Sequence, residues 1–177
     1  MSAQLASYRS DAVLDEYIDG LKNAHALEKQ ATQLIERQLD RLESYSEVEN
    51  LLRRHLEETH QQIGRLDEIL AGFGTERSVL KDLATQLTGN LAAIGHTVMS
   101  DEILKNHFAN HAFENFEIAS YLSLIAMAEA TGQDTHLSAL RTTLGEEERT
   151  AQALRDMTGD LTRKYLGRVD AGAKADR

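Results

Sequence analysis

No proline interrupts the 177 residues of this chain. A proline inside an α-helix removes a backbone hydrogen bond and costs about 3 kcal/mol, so its absence favours long, continuous helices. Apolar residues recur at intervals of three and four along most of the sequence, which is the period of a helix with one buried face. The sequence therefore predicts an all-α protein.

Four long helices and one shorter helix are predicted from this periodicity. The long helices are expected at 11–42, 46–72, 101–131 and 134–166, and the shorter one at 78–93. The first two and the last two long helices are joined by short connections, whereas the second and third are joined by a long crossover that contains the shorter helix. This arrangement predicts a four-helix bundle with a crossover connection.

Capping residues and glycines set the expected ends of the helices. Ser46 and Glu49 have the spacing of a capping box, and Ser100 precedes the next long helix. Glycines follow the second, third and fourth long helices. We expect residues 1–10 to form an N-terminal extension, 11–166 the bundle, and 167–177 a disordered tail.

The composition excludes several classes of function. A net charge of −10, from 19 basic and 29 acidic residues, opposes binding to nucleic acid. No apolar run approaches the roughly 20 residues that a membrane helix needs, and the N-terminus lacks the apolar segment of a signal peptide. Cysteine is absent, so disulfides and thiolate metal sites are excluded. We expect a cytoplasmic protein that binds neither nucleic acid nor membrane.

Each of the four long helices carries glutamate near mid-length, at positions where a bundle core needs apolar residues. These residues, with one histidine on the second helix, are Glu28, Glu57, His60, Glu114, Glu117 and Glu147. Unpaired buried carboxylates cost several kcal/mol each, and two divalent cations would neutralise them. Oxygen and imidazole ligands suit iron or manganese, so two such ions are the predicted cofactors.

The ferritin-like ligand pattern is one Glu on each of two helices and Glu-x-x-His on each of the other two. Glu57-x-x-His60 matches half of it, but Glu147 is followed at the expected position by Thr150 instead of histidine. Glu117 adds a carboxylate to the third helix. The second metal position is therefore the less certain of the two.

Other polar residues near these acids are candidates for a supporting role. His25, His111, Tyr121 and Thr150 are expected to approach the site without binding metal directly. His55, His96 and His136 are interpreted as surface or loop residues, and Glu146 and Glu148 as part of a solvated face.

Four segments carry a family resemblance. YIDGLKNAHALEKQ, HLEETHQQIGRLDEIL, FENFEIASY and LGEEERTAQAL resemble the helical blocks of the YciE/YciF-type ferritin-like stress-protein family, over about residues 11–165. The resemblance implies a ferritin-like bundle, a homodimer and a role in bacterial stress responses. In the wider rubrerythrin-like diiron carboxylate group, the metal ligands correspond here to the six residues named above. A cysteine-rich module is absent, so any electron donor would be a separate protein.

Three functions are open at this point. The chain could be a dinuclear iron or manganese enzyme acting on peroxide or dioxygen, with Glu57 bridging the ions. It could instead bind metal without turnover, which the missing histidine favours. The third alternative is a structural stress protein whose inward acids no longer bind metal.

Overall fold

A computed structural model describes residues 10–74 and 102–176. Four long helices span them: α1 (Asp11–Leu39), α2 (Ser46–Gly72), α3 (Glu102–Thr131) and α4 (Leu137–Asp170), with a short 3₁₀ helix at Asp134–His136 before α4. The predicted all-α, ferritin-like four-helix bundle is confirmed. The helix predicted at 78–93 and the cap at Ser100 lie outside the described residues.

The bundle consists of two helical hairpins. α1 packs chiefly against α2, α3 packs against α4, and α1 also packs against α3. Residues near the start of α1 share one apolar cluster with residues near the end of α2, and the end of α1 shares another with the start of α2. Each hairpin is therefore antiparallel, as its short connection requires.

Two apolar clusters lie at opposite ends of the bundle. One is built around Tyr17, Leu66 and Leu124, and the other around Ile35 and Leu161. The middle turns of all four helices lie between these clusters, and their inward side chains are largely polar. Apolar packing at both ends therefore fixes the helices that carry the polar layer.

The helix ends agree with the sequence in most places. Gly132 adopts φ +72°, a conformation that costs glycine little, and α3 ends just before it. The capping box at Ser46 is wrong, because the N-cap is Tyr45 and no side chain caps the helix. α1 ends at Leu39, about one turn before the predicted residue 42.

The C-terminal residues differ from the disordered tail predicted for 167–177. α4 continues to Asp170, and residues 171–176 turn back against the bundle. The hydroxyl of Tyr45 donates to Ala175 O at 2.5 Å, and Ile103 N donates to Asp176 O at 2.9 Å. These bonds satisfy a buried hydroxyl and one amide in the first turn of α3, which the composition of the tail does not reveal.

No helix within residues 10–74 and 102–176 combines the length and apolar character that crossing a membrane requires.

Candidate metal centre

Four of the predicted ligands face inward at the middle of the bundle. Glu28 on α1, Glu114 and Glu117 on α3, and Glu147 on α4 are each no more than 4% exposed. On α3 the buried residues between Ile103 and Leu124 recur every three or four positions and include both glutamates. The inward positions predicted for glutamate on α1, α3 and α4 are therefore buried, as expected.

The prediction for α2 is wrong, because Glu57 and His60 are exposed. The buried polar residues of this helix are instead His55, Thr59 and Gln62. Each residue of an α-helix turns the chain by about 100°, since a turn takes 3.6 residues, so Glu57 points about 200° away from His55. Counting in steps of three and four from Leu52 reaches 55, 59, 62 and 66, which was the signal available in the sequence.

His55 joins three of the inward glutamates. One ligand atom from each of His55, Glu114, Glu117 and Glu147 lies within 4.8 Å of the others. The Nε2 atom of His55 is 3.2 Å from Glu114 Oε1 and 3.8 Å from Glu147 Oε2. We call these four residues the metal centre. They combine one imidazole from α2 with two carboxylates from α3 and one from α4.

The second ring nitrogen of His55, Nδ1, contacts a threonine on α4. The Nδ1 atom lies 3.2 Å from Thr150 Oγ1, which leaves Nε2 directed towards the glutamates. Burial lowers the pKa of His55, but the nearby carboxylates of Glu114, Glu58 and Glu147 outweigh burial and raise this pKa well above its ordinary value. Without a metal ion, these carboxylates therefore favour the protonated, positively charged form of the ring.

The carboxylates of the metal centre lack hydrogen-bond partners. Both oxygens of Glu117, both oxygens of Glu147 and Oε2 of Glu114 are buried with no donor among the described residues. Burial is the main cause that raises the pKa of Glu147 to about 10 and the pKa of Glu117 well above its ordinary value, and the neighbouring carboxylates add to it. Buried oxygens without partners are costly, and a bound cation would satisfy them. The donor set therefore fits a metal ion.

Glu28 lies beside the metal centre but is not one of its four members. Tyr121 on α3 donates its hydroxyl hydrogen to Glu28 Oε1 at 2.5 Å, and Oε2 has no partner. Burial raises the pKa of Glu28 to about 8 despite this bond. Tyr121 is thus in contact with a predicted ligand, as expected for a supporting residue.

The histidines predicted to support the site lie elsewhere. His25 is buried, and its Nε2 atom is 3.1 Å from Asp67 Oδ1 on α2. His111 is half-buried and outside the metal centre. His136 is half-buried, with Nδ1 3.1 Å from the Tyr17 hydroxyl, and His96 lies outside the described residues. Of the three histidines interpreted as surface or loop residues, His55 is the one that belongs to the centre.

The sequence of this chain is similar to those of known proteins. The family described as "Domain of unknown function (DUF892)" matches residues 12–167, most of the chain. The chain belongs to the DUF892 family. Protein YciF of Escherichia coli K12 is 29% identical over 150 residues, which cover 81% of this chain and 88% of that protein. The resemblance to YciE/YciF-type proteins is thereby confirmed.

Solved structures of similar proteins share the fold of this DUF892 chain. A protein from Xanthomonas campestris pv. campestris superposes with a TM-score of 0.75 at 25% identity, covering 89% of this chain and 99% of its own. The E. coli stress protein YciF gives 0.69 at 26% identity, covering 88% and 99%. The match extends over almost the whole length of both relatives.

A second polar group in this DUF892 chain lies next to the metal centre. The guanidinium of Arg65 on α2 donates to both carboxylate oxygens of Glu146 on α4, at 2.5 and 2.8 Å. It also donates to Thr143 Oγ1 at 3.0 Å, and Gln62 donates to Glu146 Oε2 at 3.1 Å. Glu146 is 7% exposed, so the interpretation of this residue as part of a solvated face is wrong. Glu148 is exposed, as expected.

The ferritin-like pattern of two ions is only partly met in this DUF892 chain. Each Glu-x-x-His motif would supply one imidazole and one carboxylate from inward positions. On α2 the inward residues with that spacing are Thr59 and Gln62, and on α4 they are Glu147 and Thr150. One imidazole, from His55, serves the whole group. The described residues therefore supply one imidazole where the two-ion pattern has two.

Proposed function

We propose that this protein binds a redox-active divalent metal, iron or manganese, at His55, Glu114, Glu117 and Glu147. The observation that supports this most strongly is the buried convergence of one imidazole and three carboxylates, since five of the six carboxylate oxygens have no hydrogen-bond donor among the described residues. Carboxylate and imidazole ligands together suit these metals better than calcium, which prefers oxygen ligands alone.

Charge supports the same proposal. Three carboxylates share this group with one imidazole, and packing at both ends of the bundle prevents them from separating. Without a cation the protein must keep acids protonated at neutral pH, and this opposes folding. A metal ion removes that cost and gains four ligands that are already in place.

The proposed reaction is reduction of peroxide or dioxygen, for which a bound iron or manganese ion would supply electrons. The contribution of this chain is to hold the ligands, exclude bulk water and keep the His55 ring fixed through Thr150. Tyr121 and Glu28 form a buried hydrogen-bonded pair beside the centre, and they can exchange a proton near it. An external electron donor is part of this proposal.

Metal binding without turnover is the second candidate function. The observation in its favour is that, within residues 10–74 and 102–176, His55 is the one imidazole of the group, so the ion has few neutral ligands and is surrounded by carboxylates. Such a site suits retention of a metal ion. The two candidates differ in one measurement, because only the first predicts peroxide consumption by the metal-loaded protein.

Elemental analysis of the purified protein, loaded anaerobically with Fe²⁺ or Mn²⁺ and then desalted, tests the proposal. The wild-type chain should retain metal, whereas His55→Ala and Glu147→Gln should lose it. Glu57→Gln and His60→Ala are matched controls, because they make the same kinds of change on the exposed face of α2. A wild-type chain without metal, or controls that lose metal as the core variants do, would overturn the proposal.

The E. coli relative is described as a stress protein, and we propose a stress-related role for this chain as well. A homodimer in the cytoplasm, without nucleic-acid or membrane partners, is likewise proposed. Sedimentation of the purified protein tests the dimer, and fractionation of cells tests the compartment.

A further inference from the structure

The positions that would bind a second ion carry residues unsuited to it. Thr59 and Gln62 on α2 are both fully buried and have the i, i+3 spacing of the Glu-x-x-His motif. Neither side chain is charged or carries an imidazole. Glu28, the α1 carboxylate on this side of the core, already accepts a hydrogen bond from Tyr121.

Arg65 follows Gln62 by three residues, so both lie on the same face of α2. Its guanidinium binds both oxygens of Glu146, a paired geometry that fixes the position of the charge. Gln62 and Thr143 complete the group. Glu146 would otherwise be a fifth buried carboxylate in this part of the described bundle, and here a side chain of the protein neutralises it.

The Arg65 group reaches the position of the missing histidine. Gln62 stands at that position and donates to the same Oε2 atom of Glu146 that Arg65 binds. The guanidinium is therefore one shared hydrogen-bond acceptor away from the place of a second-ion ligand. Arg65 stays protonated at any physiological pH, so this positive charge is permanent.

We infer that the guanidinium of Arg65 takes the place of a second metal ion, so that the centre holds one ion per chain. This inference rests on the proposed function, since it concerns how many ions the same core accepts. One ion binds at His55, Glu114, Glu117 and Glu147. The built-in cation neutralises Glu146 and keeps the Glu28 side free of metal.

The test is the number of Mn²⁺ ions bound per chain, measured by titration and by elemental analysis after desalting. The wild-type protein and Arg65→Lys, which keeps the positive charge, should each bind one ion. Grafting the missing ligands with Thr59→Glu and Gln62→His should still give one ion while Arg65 is present. The same graft combined with Arg65→Gln should bind two, and its electron paramagnetic resonance spectrum should change from that of an isolated ion to that of a coupled pair.

The outcomes separate this inference from the proposed function. No ion in the wild-type chain defeats both. Two ions in the wild-type chain, two in the graft that keeps Arg65, or one in the graft with Arg65→Gln defeats the inference alone. If the triple variant does not fold, Arg65→Gln by itself decides, because loss of the fixed charge should tighten binding of the first ion by roughly tenfold or more, about 1.4 kcal/mol. Unchanged affinity would overturn the inference.

Discussion

Thr150 Oγ1 on α4 lies 3.2 Å from Nδ1 of His55 on α2. Threonine thus occupies the position where the ferritin-like pattern places histidine, and it contacts the one histidine of the metal centre. The imidazole comes from the opposite helix, and the α4 side chain orients it. The core therefore still has a nitrogen ligand, from His55, although the inward positions of α2 and α4 do not carry the Glu-x-x-His motif.

Loss of the Thr150 hydroxyl should weaken metal binding without removing a ligand. Residues that orient a metal-binding histidine typically contribute about 10- to 100-fold to affinity, so we expect Thr150→Val to raise the dissociation constant for Mn²⁺ by about that factor. Competition with a coloured chelator measures it. Thr150→Ser keeps the hydroxyl and is the matched control; equal weakening in both variants would show that the hydrogen bond is not the cause.

Glu117→Gln should stabilise the metal-free protein and abolish its response to metal. Both oxygens of Glu117 are buried without a partner among the described residues, and burial raises the pKa of this acid well above its ordinary value. Keeping it protonated at neutral pH therefore costs about 1.4 kcal/mol for each pH unit above the ordinary pKa, and glutamine avoids that cost. Thermal unfolding checks both effects. Metal at a hundred times its dissociation constant should stabilise the wild-type chain by about 2.7 kcal/mol and leave Glu117→Gln unaffected. A lower melting temperature for metal-free Glu117→Gln would contradict this account.

The metal-free protein should lose stability as pH rises from about 5 to about 8. In the unfolded chain Glu28 and Glu147 release their protons near pH 4.5, whereas in the folded chain their pKa values are about 8 and about 10. Over this range the folded state binds more protons, so each group lowers the free energy of unfolding by about 1.4 kcal/mol per pH unit. The raised pKa of His55 acts in the same direction.

Metal should reverse this pH dependence, because binding requires ionised carboxylates and a neutral imidazole. Urea unfolding at pH 5, 6, 7 and 8, with and without Mn²⁺, measures both trends. The Glu147→Gln chain should show a shallower decline than the wild type when metal-free. A metal-free wild type that gains stability between pH 5 and 8 would refute the prediction.

Removal of residues 171–177 should destabilise the bundle by about 1–3 kcal/mol, since the buried Tyr45 hydroxyl loses its acceptor. For a chain of this size that corresponds to roughly 2–4 °C per kcal/mol in melting temperature. Tyr45→Phe removes the donor of the same hydrogen bond instead of its acceptor. If this contact carries the effect, deletion should cost less in Tyr45→Phe than in the wild type.

The sequence predicts the fold better than it predicts the site. The helical period of the sequence, followed along α1, α3 and α4, identified their inward faces, so Glu28, Glu114, Glu117 and Glu147 were found without coordinates. On α2 the Glu-x-x-His spacing predicted Glu57 and His60 as ligands, although the apolar residues Leu52 and Leu66 lie on another face of the helix. The apolar period of the whole helix predicts its inward face more reliably than this short motif does.

Two other parts of the structure were not predicted, because they depend on contacts between residues far apart in the sequence. The bond between Arg65 and Glu146 joins residues 81 positions apart, and either residue alone reads as surface charge. The packing of Ala175 near Tyr45 joins residues 130 apart. Composition correctly describes the last residues as small and polar, but it does not reveal that a buried hydroxyl needs a backbone acceptor there.

The metal centre draws its imidazole from the first helical hairpin and all three of its carboxylates from the second. Residues 73–101 provide the sole covalent connection between these halves. A bound ion would thus act as a cross-link across the bundle, and its loss or oxidation would change how firmly one half is held to the other. Metal binding would in this way couple the supply of the ion to the mechanical rigidity of the protein.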